Sequence, residues 1–96
     1  MADSIMQKER ECYITHSKSG LHRHHIYPGS RRKASEKWGC WVWLRWDWHN
    51  GTGYAVHNNK KLDSKLRREC QKRFEALYGH DTFMEVFGKS YLTGGE

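Results

Sequence analysis

The sequence predicts an α+β fold in which a two-stranded antiparallel hairpin precedes a long helix and a short C-terminal helix. Two short segments, 21–27 and 40–44, are rich in the aromatic and β-branched side chains that strands prefer. A later segment, 58–78, carries apolar residues at helical spacing. The order is therefore strand, strand, loop, helix, in a chain of 96 residues that suits one domain.

The first predicted strand places two adjacent histidines on opposite faces. In an extended chain successive side chains alternate, so His24 and His25 point to different sides of the segment 21–27. Pro28 and Gly29 end this strand, and a helical turn is predicted at 34–38 before the second strand. A further short β-prone run at 12–15 predicts an additional strand.

The long helix is predicted from one apolar stripe. The stripe consists of Leu62, Leu66, Cys70, Phe74 and Leu77. Gly79 is a natural C-terminal cap for this helix. Thr82 to Glu85 matches a capping box, which predicts a short second helix that ends at Gly88.

The domain boundaries follow from composition. Residues 1–11 are polar and are expected to form a flexible lead-in, 12–92 a single domain, and 93–96 a flexible tail. No apolar run approaches the roughly 20 residues that span a bilayer, and the N-terminus carries no signal-peptide core, so we expect a cytoplasmic protein without a membrane partner. Cys12, Cys40 and Cys70 are widely separated, which favours reduced thiols over a disulfide framework.

The charge balance favours a polyanionic partner. Seventeen Lys and Arg against eleven Asp and Glu give a formal charge of +6, and nucleic acid is the commonest partner of such a chain. The residues expected to contact DNA phosphates lie in or near the two strands and their connection: Arg23, Arg31, Arg32, Lys33 and Arg45. The alternative for this cluster is a solvated loop. The many cations of the long helix are expected to form its solvated face.

Histidine is unusually frequent, with seven residues. A neutral imidazole is a common metal ligand, and a free one is a common general base. On one continuous helix His49 and His57 would stand about 12 Å apart along the axis, so they share an ion only if the chain folds between them. Gly51 and Gly53 permit that fold. The alternative is a set of ordinary surface histidines, which is what we expect of His22.

Several short stretches together resemble small phage-encoded HNH endonuclease-like proteins, which are similar to the broader ββα-metal nucleases. These stretches are LHRHHIY at 21–27, RK at 32–33, SEKWG at 35–39, WVWL at 41–44, HN at 49–50, VH at 56–57 and FMEVFGKSYL at 83–92. The resemblance covers 12–92 and implies a ββα-metal core that hydrolyses or nicks DNA.

The resemblance also implies a role for each histidine of the motif. His24 is then a ligand of a divalent ion (Mg, Mn, Ni or Zn), and His25 is the general base. His49 and His57 complete the metal site. Asn50 is expected to replace the motif's middle asparagine, which orients the base.

The chain departs from the family at a second, structural zinc site. Thr15, Arg45 and Trp48 stand where many relatives carry zinc ligands, so no structural zinc is expected. A packed aromatic cluster that includes Trp46 and Trp48 is expected in its place. An improvised zinc site from Cys12, His16 and Cys40 is the less favoured alternative.

Two functions follow from these patterns. The first is a metal-dependent DNA endonuclease of HNH type, monomeric or homodimeric, encoded by a phage or prophage and acting in the bacterial cytoplasm. The second is a catalytically inactive HNH-like binding protein that acts on DNA or inhibits a host defence nuclease, which makes a host or phage protein its partner. The retained histidines favour the first function, and the lost zinc ligands favour the second.

Overall fold

Two antiparallel strands and four helices form the part of the chain, residues 2–92, that this computed structural model describes. The strands are β1 (Leu21–His25) and β2 (Trp41–Arg45), paired with Leu21 opposite Arg45 and His25 opposite Trp41. The helices are α1 (Arg32–Trp38), α2 (Trp46–His49), α3 (Lys60–Tyr78) and α4 (His80–Phe87), with 3₁₀ turns at Gly29–Arg31 and Val56–Asn58. The predicted α+β class, hairpin, long helix and short C-terminal helix are confirmed, while the ββα-metal core stays a prediction.

Helix α1 fills the connection between the two strands. It ends at Gly39, whose φ of 75° lies in the left-handed region. A Cβ at this position would collide with the carbonyl oxygen of Asp3, so glycine is required for both reasons. The Cys40 N–H then donates to the carbonyl of Ser35, and the Ile26 N–H donates to the carbonyl of Cys40. These bonds return the chain antiparallel to β1.

The core lies between the hairpin and the two C-terminal helices. Leu66, Cys70 and Phe74 are buried as the stripe predicts, and the aromatic rings of Phe83 and Phe87 from α4 pack on Phe74. Leu77 is 60% exposed, so its predicted core position is wrong. The reason is that α4 and Trp38 pack against Phe74, one turn before the end of α3.

The helix boundaries shift slightly from the predicted ones. Helix α3 begins at Lys60, where the side chain of Asn59 accepts a hydrogen bond of 3.1 Å from the Leu62 N–H. Helix α4 begins at His80, directly after Gly79, so the predicted capping box at Thr82 is not its first turn. Both helices end at the predicted glycines, Gly79 and Gly88.

The N-terminal segment, expected as a flexible lead-in, packs along the outer edge of β2. Met6 is 2% exposed within the core. The Trp43 N–H donates to Gln7 Oε1 over 2.7 Å, and the Tyr13 N–H donates to the Trp43 carbonyl over 2.8 Å. The segment thereby covers backbone groups that an edge strand leaves open. The predicted tail, 93–96, lies outside the described residues.

The strand predicted at 12–15 is wrong. These residues form a turn, in which the His16 N–H donates to the carbonyl of Cys12 and His16 adopts a φ of 65°. The backbone closes on itself there, so the bond from the Tyr13 N–H to the Trp43 carbonyl is not continued into a ladder. Of the predicted aromatic cluster, Trp48 packs on Tyr54 with ring centroids 4.8 Å apart, whereas Trp46 is 57% exposed. Between residues 2 and 92, no helix combines the length and apolar character needed to cross a membrane.

Candidate metal centre

Three histidines from three separate elements converge beside the hairpin. His24 lies on β1, His49 is the last residue of α2, and His57 lies in the 3₁₀ turn before α3. One ring nitrogen from each lies within 4.8 Å of the others, and His49 Nε2 is 3.2 Å from His57 Nε2. Within residues 2–92, this is the one group of three or more histidine, cysteine or carboxylate side chains close enough to hold an ion.

The loop between His49 and His57 folds back on itself, as the sequence predicts. Gly51 adopts a φ of 85°, which few other residues tolerate. The Thr52 hydroxyl donates to the Asp47 carbonyl over 2.6 Å, and the Asn58 side-chain amide donates to the Thr52 carbonyl over 2.9 Å. These bonds fasten both ends of the loop, so two histidines eight positions apart come into contact.

His24 is the buried member of the cluster. It is 3% exposed, and its ring centroid lies 5.5 Å from that of His49 and 5.4 Å from that of His57. Its Nε2 atom is buried and has no hydrogen-bond partner among the described residues. An unsatisfied buried polar atom costs about 1–3 kcal/mol, so a cation at this nitrogen would relieve a deficit that the fold itself leaves.

The electrostatics keep His24 and His49 in the form that binds metals. Burial, reinforced by His49 and His57, lowers the pKa of His24 to about 3. Burial, reinforced by His57 and His22, lowers the pKa of His49 to about 4. Both imidazoles are therefore neutral at pH 7, and a neutral imidazole has the lone pair that a metal ion requires.

A fourth histidine, His22, touches the cluster from its exposed side. Its Nδ1 lies 3.0 Å from His49 Nδ1, and the two rings meet edge to face with centroids 5.2 Å apart. The expectation that His22 is an ordinary surface residue overlooked this contact. The signal was available in the sequence, because His22 and His24 are two apart on one strand and share a face.

His25 lies on the opposite face of β1, as the alternation predicts, and is not part of this cluster. Its Nε2 is 2.7 Å from Glu36 Oε1, and Arg23 Nη1 donates to Glu36 Oε2 over 2.6 Å. Burial opposes ionisation of Glu36, but the hydrogen bond from His25 and the charge of Arg23 outweigh it and hold the pKa of that carboxyl below its ordinary value. Glu36, from α1, was not singled out by the sequence reasoning. The side chain of Asn50 accepts from the Gly51 N–H over 2.9 Å and so bonds within its own turn.

Of the five cations predicted to contact DNA, three are bonded to other groups of the protein and two are exposed. Arg23 stacks 3.9 Å above the ring of Trp41 in addition to its bond with Glu36, and Arg45 forms a two-point ion pair with Asp47 at 2.6 and 2.8 Å. Arg31 Nε donates to the Phe87 carbonyl over 2.8 Å. Arg32 and Lys33 are exposed in the first turn of α1.

The fold and the cluster together define a small α+β protein with a candidate three-histidine metal centre. Comparison of the chain with models of protein families, with curated proteins and with solved structures found no match.

Proposed function

We propose that the protein is a metal-dependent DNA endonuclease of HNH type, which hydrolyses or nicks phosphodiester bonds at an ion held by His24, His49 and His57. The observation that carries the proposal is the buried, unpaired Nε2 of His24 beside two further imidazoles. Buried polar atoms are almost always paired, and a nitrogen without a protein partner in such a cluster is suited to a cation.

The ligand count supports catalysis over a purely structural role. Three protein ligands leave at least one position open, whereas structural zinc sites are closed by four. His57 is exposed, and an open cleft of about 230 Å³ lies beside it and His24. A bound ion would supply stabilisation of the charge on the phosphate and on the leaving oxygen. Imidazole donors favour Zn or Ni over Mg and Mn, which prefer oxygen ligands.

His25 is the proposed general base. Glu36 accepts a hydrogen bond from His25 Nε2, which leaves Nδ1 free to take a proton from an attacking water. A base oriented by a carboxylate is the usual arrangement for activating a nucleophile. In this scheme Glu36 is a positioning residue, which holds the ring of His25 and fixes the nitrogen that carries its proton.

The test is nicking of a supercoiled plasmid by the purified chain with Zn, Ni, Mn or Mg, against an EDTA control. We expect nicking with Zn or Ni, none with EDTA and none from His49→Ala. His16→Ala is the matched control, because His16 is an exposed histidine bonded to Glu11 and is expected to leave activity unchanged. A wild-type protein that binds Zn or Ni in a calorimetric titration but nicks with none of the four ions would overturn the nuclease proposal.

One observation favours a second candidate, a non-cleaving binding protein on the same scaffold. His25 and the three clustered histidines are carried by opposite faces of β1, so the proposed base and the proposed ligands start from different sides of one strand. In that case the metal centre shapes a surface that binds DNA or a host defence nuclease. Metal and DNA binding without nicking in the plasmid assay is the result that this candidate predicts.

A further inference from the structure

Most cations of α3 differ from Arg23, Arg31 and Arg45 in having no bonded partner within residues 2–92. The exceptions are Arg67, which pairs with Asp63, and Arg73, which donates to the Met6 carbonyl. Arg23 and Arg45 are paired with carboxylates, and Arg31 donates to a backbone carbonyl. Across residues 2–92, by contrast, the structure shows no ion pair or hydrogen bond for the side chains of five cations on α3. These five, the α3 basic face, are Lys60, Lys61, Lys65, Arg68 and Lys72.

The five side chains lie on one side of the helix. At 3.6 residues per turn they fall within an arc of about 140°, and the run from Lys60 to Lys72 extends about 18 Å along the axis. Leu66 and Phe74, which are buried, lie on the opposite side. Two carboxylates lie close to this arc, and both are engaged: Glu75, one turn beyond Lys72, by Gln71 and His80, and Glu69, at the edge of the arc, by the Tyr13 hydroxyl. The result is an exposed positive stripe with a shallow hollow over its first turns.

The stripe begins at the metal centre. Lys60 lines the hollow of the α3 basic face and also the cleft that His24 and His57 border. The carboxylate in that cleft, Asp63, is paired with Arg67 Nη2 at 3.1 Å, so its charge is already offset. A polyanion lying on the stripe therefore reaches the three histidines without crossing an unpaired negative charge among the described residues.

We propose that the α3 basic face binds the phosphate backbone of duplex DNA and delivers it to the metal centre. This inference rests on the proposed function, because it takes DNA as the substrate. Flexible lysines at an open surface suit phosphate oxygens better than base edges, so binding at this face is independent of sequence. The proposed surface is α3. In the strand connection that the sequence analysis favoured, Arg32 and Lys33 are also exposed without a bonded partner within residues 2–92, and they stay the alternative.

The test is fluorescence anisotropy with a 20-base-pair duplex in EDTA, so that neither metal nor cleavage contributes. The variant is the triple substitution Lys61→Ala, Lys65→Ala and Arg68→Ala. The matched control, Lys8→Ala, Lys18→Ala and Lys37→Ala, removes the same charge from exposed lysines outside α3. We expect the α3 variant to bind at least about tenfold more weakly at 0.1 M salt, and the slope of log K against log salt to fall by about 3, one for each phosphate contact.

Equal losses in the α3 variant and the control would mean that only net charge matters, and would overturn the inference. A larger loss from Arg32→Ala with Lys33→Ala would overturn it in favour of the strand connection. Thermal melting by circular dichroism checks that each variant folds.

The two proposals can fail separately. If the α3 variant loses DNA binding but the wild type nicks the plasmid with none of the four metals, the nuclease proposal is wrong and the α3 basic face is supported. If the wild type nicks the plasmid but the α3 variant binds DNA as well as the control does, the nuclease proposal is supported and the α3 basic face is rejected. If the wild type does not bind the duplex, both the α3 basic face and DNA as the substrate are rejected. Metal titration would then still test whether the three histidines bind an ion.

Discussion

Strand β1 carries histidines in two contrasting environments, one on each face. On one face His24 is buried, contacts other imidazoles and leaves Nε2 without a partner in the described part of the chain. On the other face His25 shares the carboxylate of Glu36 with Arg23. A carboxylate satisfies a histidine within the protein, whereas a cluster of imidazoles leaves lone pairs that a cation can use. In the proposed function, the face with His24 binds the ion and the face with His25 transfers the proton.

Two other histidines, His16 and His80, also have carboxylate partners but lie outside the proposed site. His16 is bonded to Glu11, and His80 Nδ1 lies 2.6 Å from Glu75 Oε2. Both are exposed and both resemble His25 in having a carboxylate partner. They therefore provide control positions, at which removal of a carboxylate-bonded histidine is expected to change neither metal binding nor cleavage.

The largest expected effect is the loss of the proposed base. His25→Ala should lower the nicking rate by about a hundred- to ten-thousandfold, the usual contribution of a general base. Affinity for Zn or Ni should stay unchanged, because His25 is not among the three clustered nitrogens. The measurements are single-turnover plasmid nicking and calorimetric metal titration, with His80→Ala as the control. A variant that nicks as fast as the wild type would show that the outer face takes no part in proton transfer.

Loss of a proposed ligand should affect binding first. His57→Ala should weaken Zn or Ni affinity by more than about a hundredfold, since removing a direct ligand exceeds the ten- to hundredfold typical of residues behind the ligands. His57 is exposed, so the fold should survive, which circular dichroism would verify. Calorimetric titration makes the measurement, and unchanged affinity would contradict the three-histidine centre.

The elements of the fold with a strong periodic pattern could be predicted from the sequence. The stripe from Leu62 to Leu77 identified α3, and alternation correctly separated His24 from His25. Residues 12–15 were predicted as a strand because their side chains are those that strands prefer. Local backbone hydrogen bonds, which composition does not show, form a turn there instead. The burial of Leu77 was predicted wrongly because exposure depends on where the neighbouring elements end. The apolar pattern of one helix contains no information on its neighbours.

The histidines of the candidate site could be predicted from the sequence, but the side chains bonded to the other predicted site residues could not. The glycines between His49 and His57 permit the loop to fold back, and the resemblance implied that both histidines are ligands; the structure brings the two into contact. Glu36 was missed because it lies eleven positions from His25 on a separate helix, and only tertiary packing brings the two together. The ion pair of Arg45 with Asp47 was also not predicted, because the sequence does not show whether a basic residue near a strand is paired or free.

A smaller effect is expected when the partner of the base is altered. Glu36→Gln keeps the shape of the side chain but removes the charge that His25 and Arg23 share. We expect nicking to slow by about ten- to a hundredfold, as for other residues that orient a functional histidine, with metal affinity unchanged. Glu75→Gln is the matched control, because Glu75 is bonded to His80 in the same way. Equal rates for the two variants would remove Glu36 from the mechanism.

The smallest expected effect concerns His22, which contacts the cluster without belonging to it. If His49 Nε2 faces the ion, His49 Nδ1 carries the proton and donates it to His22 Nδ1 across the observed 3.0 Å. This bond fixes the ring orientation of a ligand, and losing such a bond costs roughly tenfold in metal affinity. His22→Ala should therefore bind Zn or Ni about tenfold more weakly by calorimetry. His22→Gln, whose side-chain oxygen can accept the same hydrogen bond, should recover most of the loss, which a merely structural role would not predict. In the metal-free protein, nitrogen chemical shifts of His49 should report a proton on Nδ1 in the wild type and a mixture of tautomers in His22→Ala. Identical affinity and identical shifts in both proteins would show that His22 only happens to lie beside the cluster.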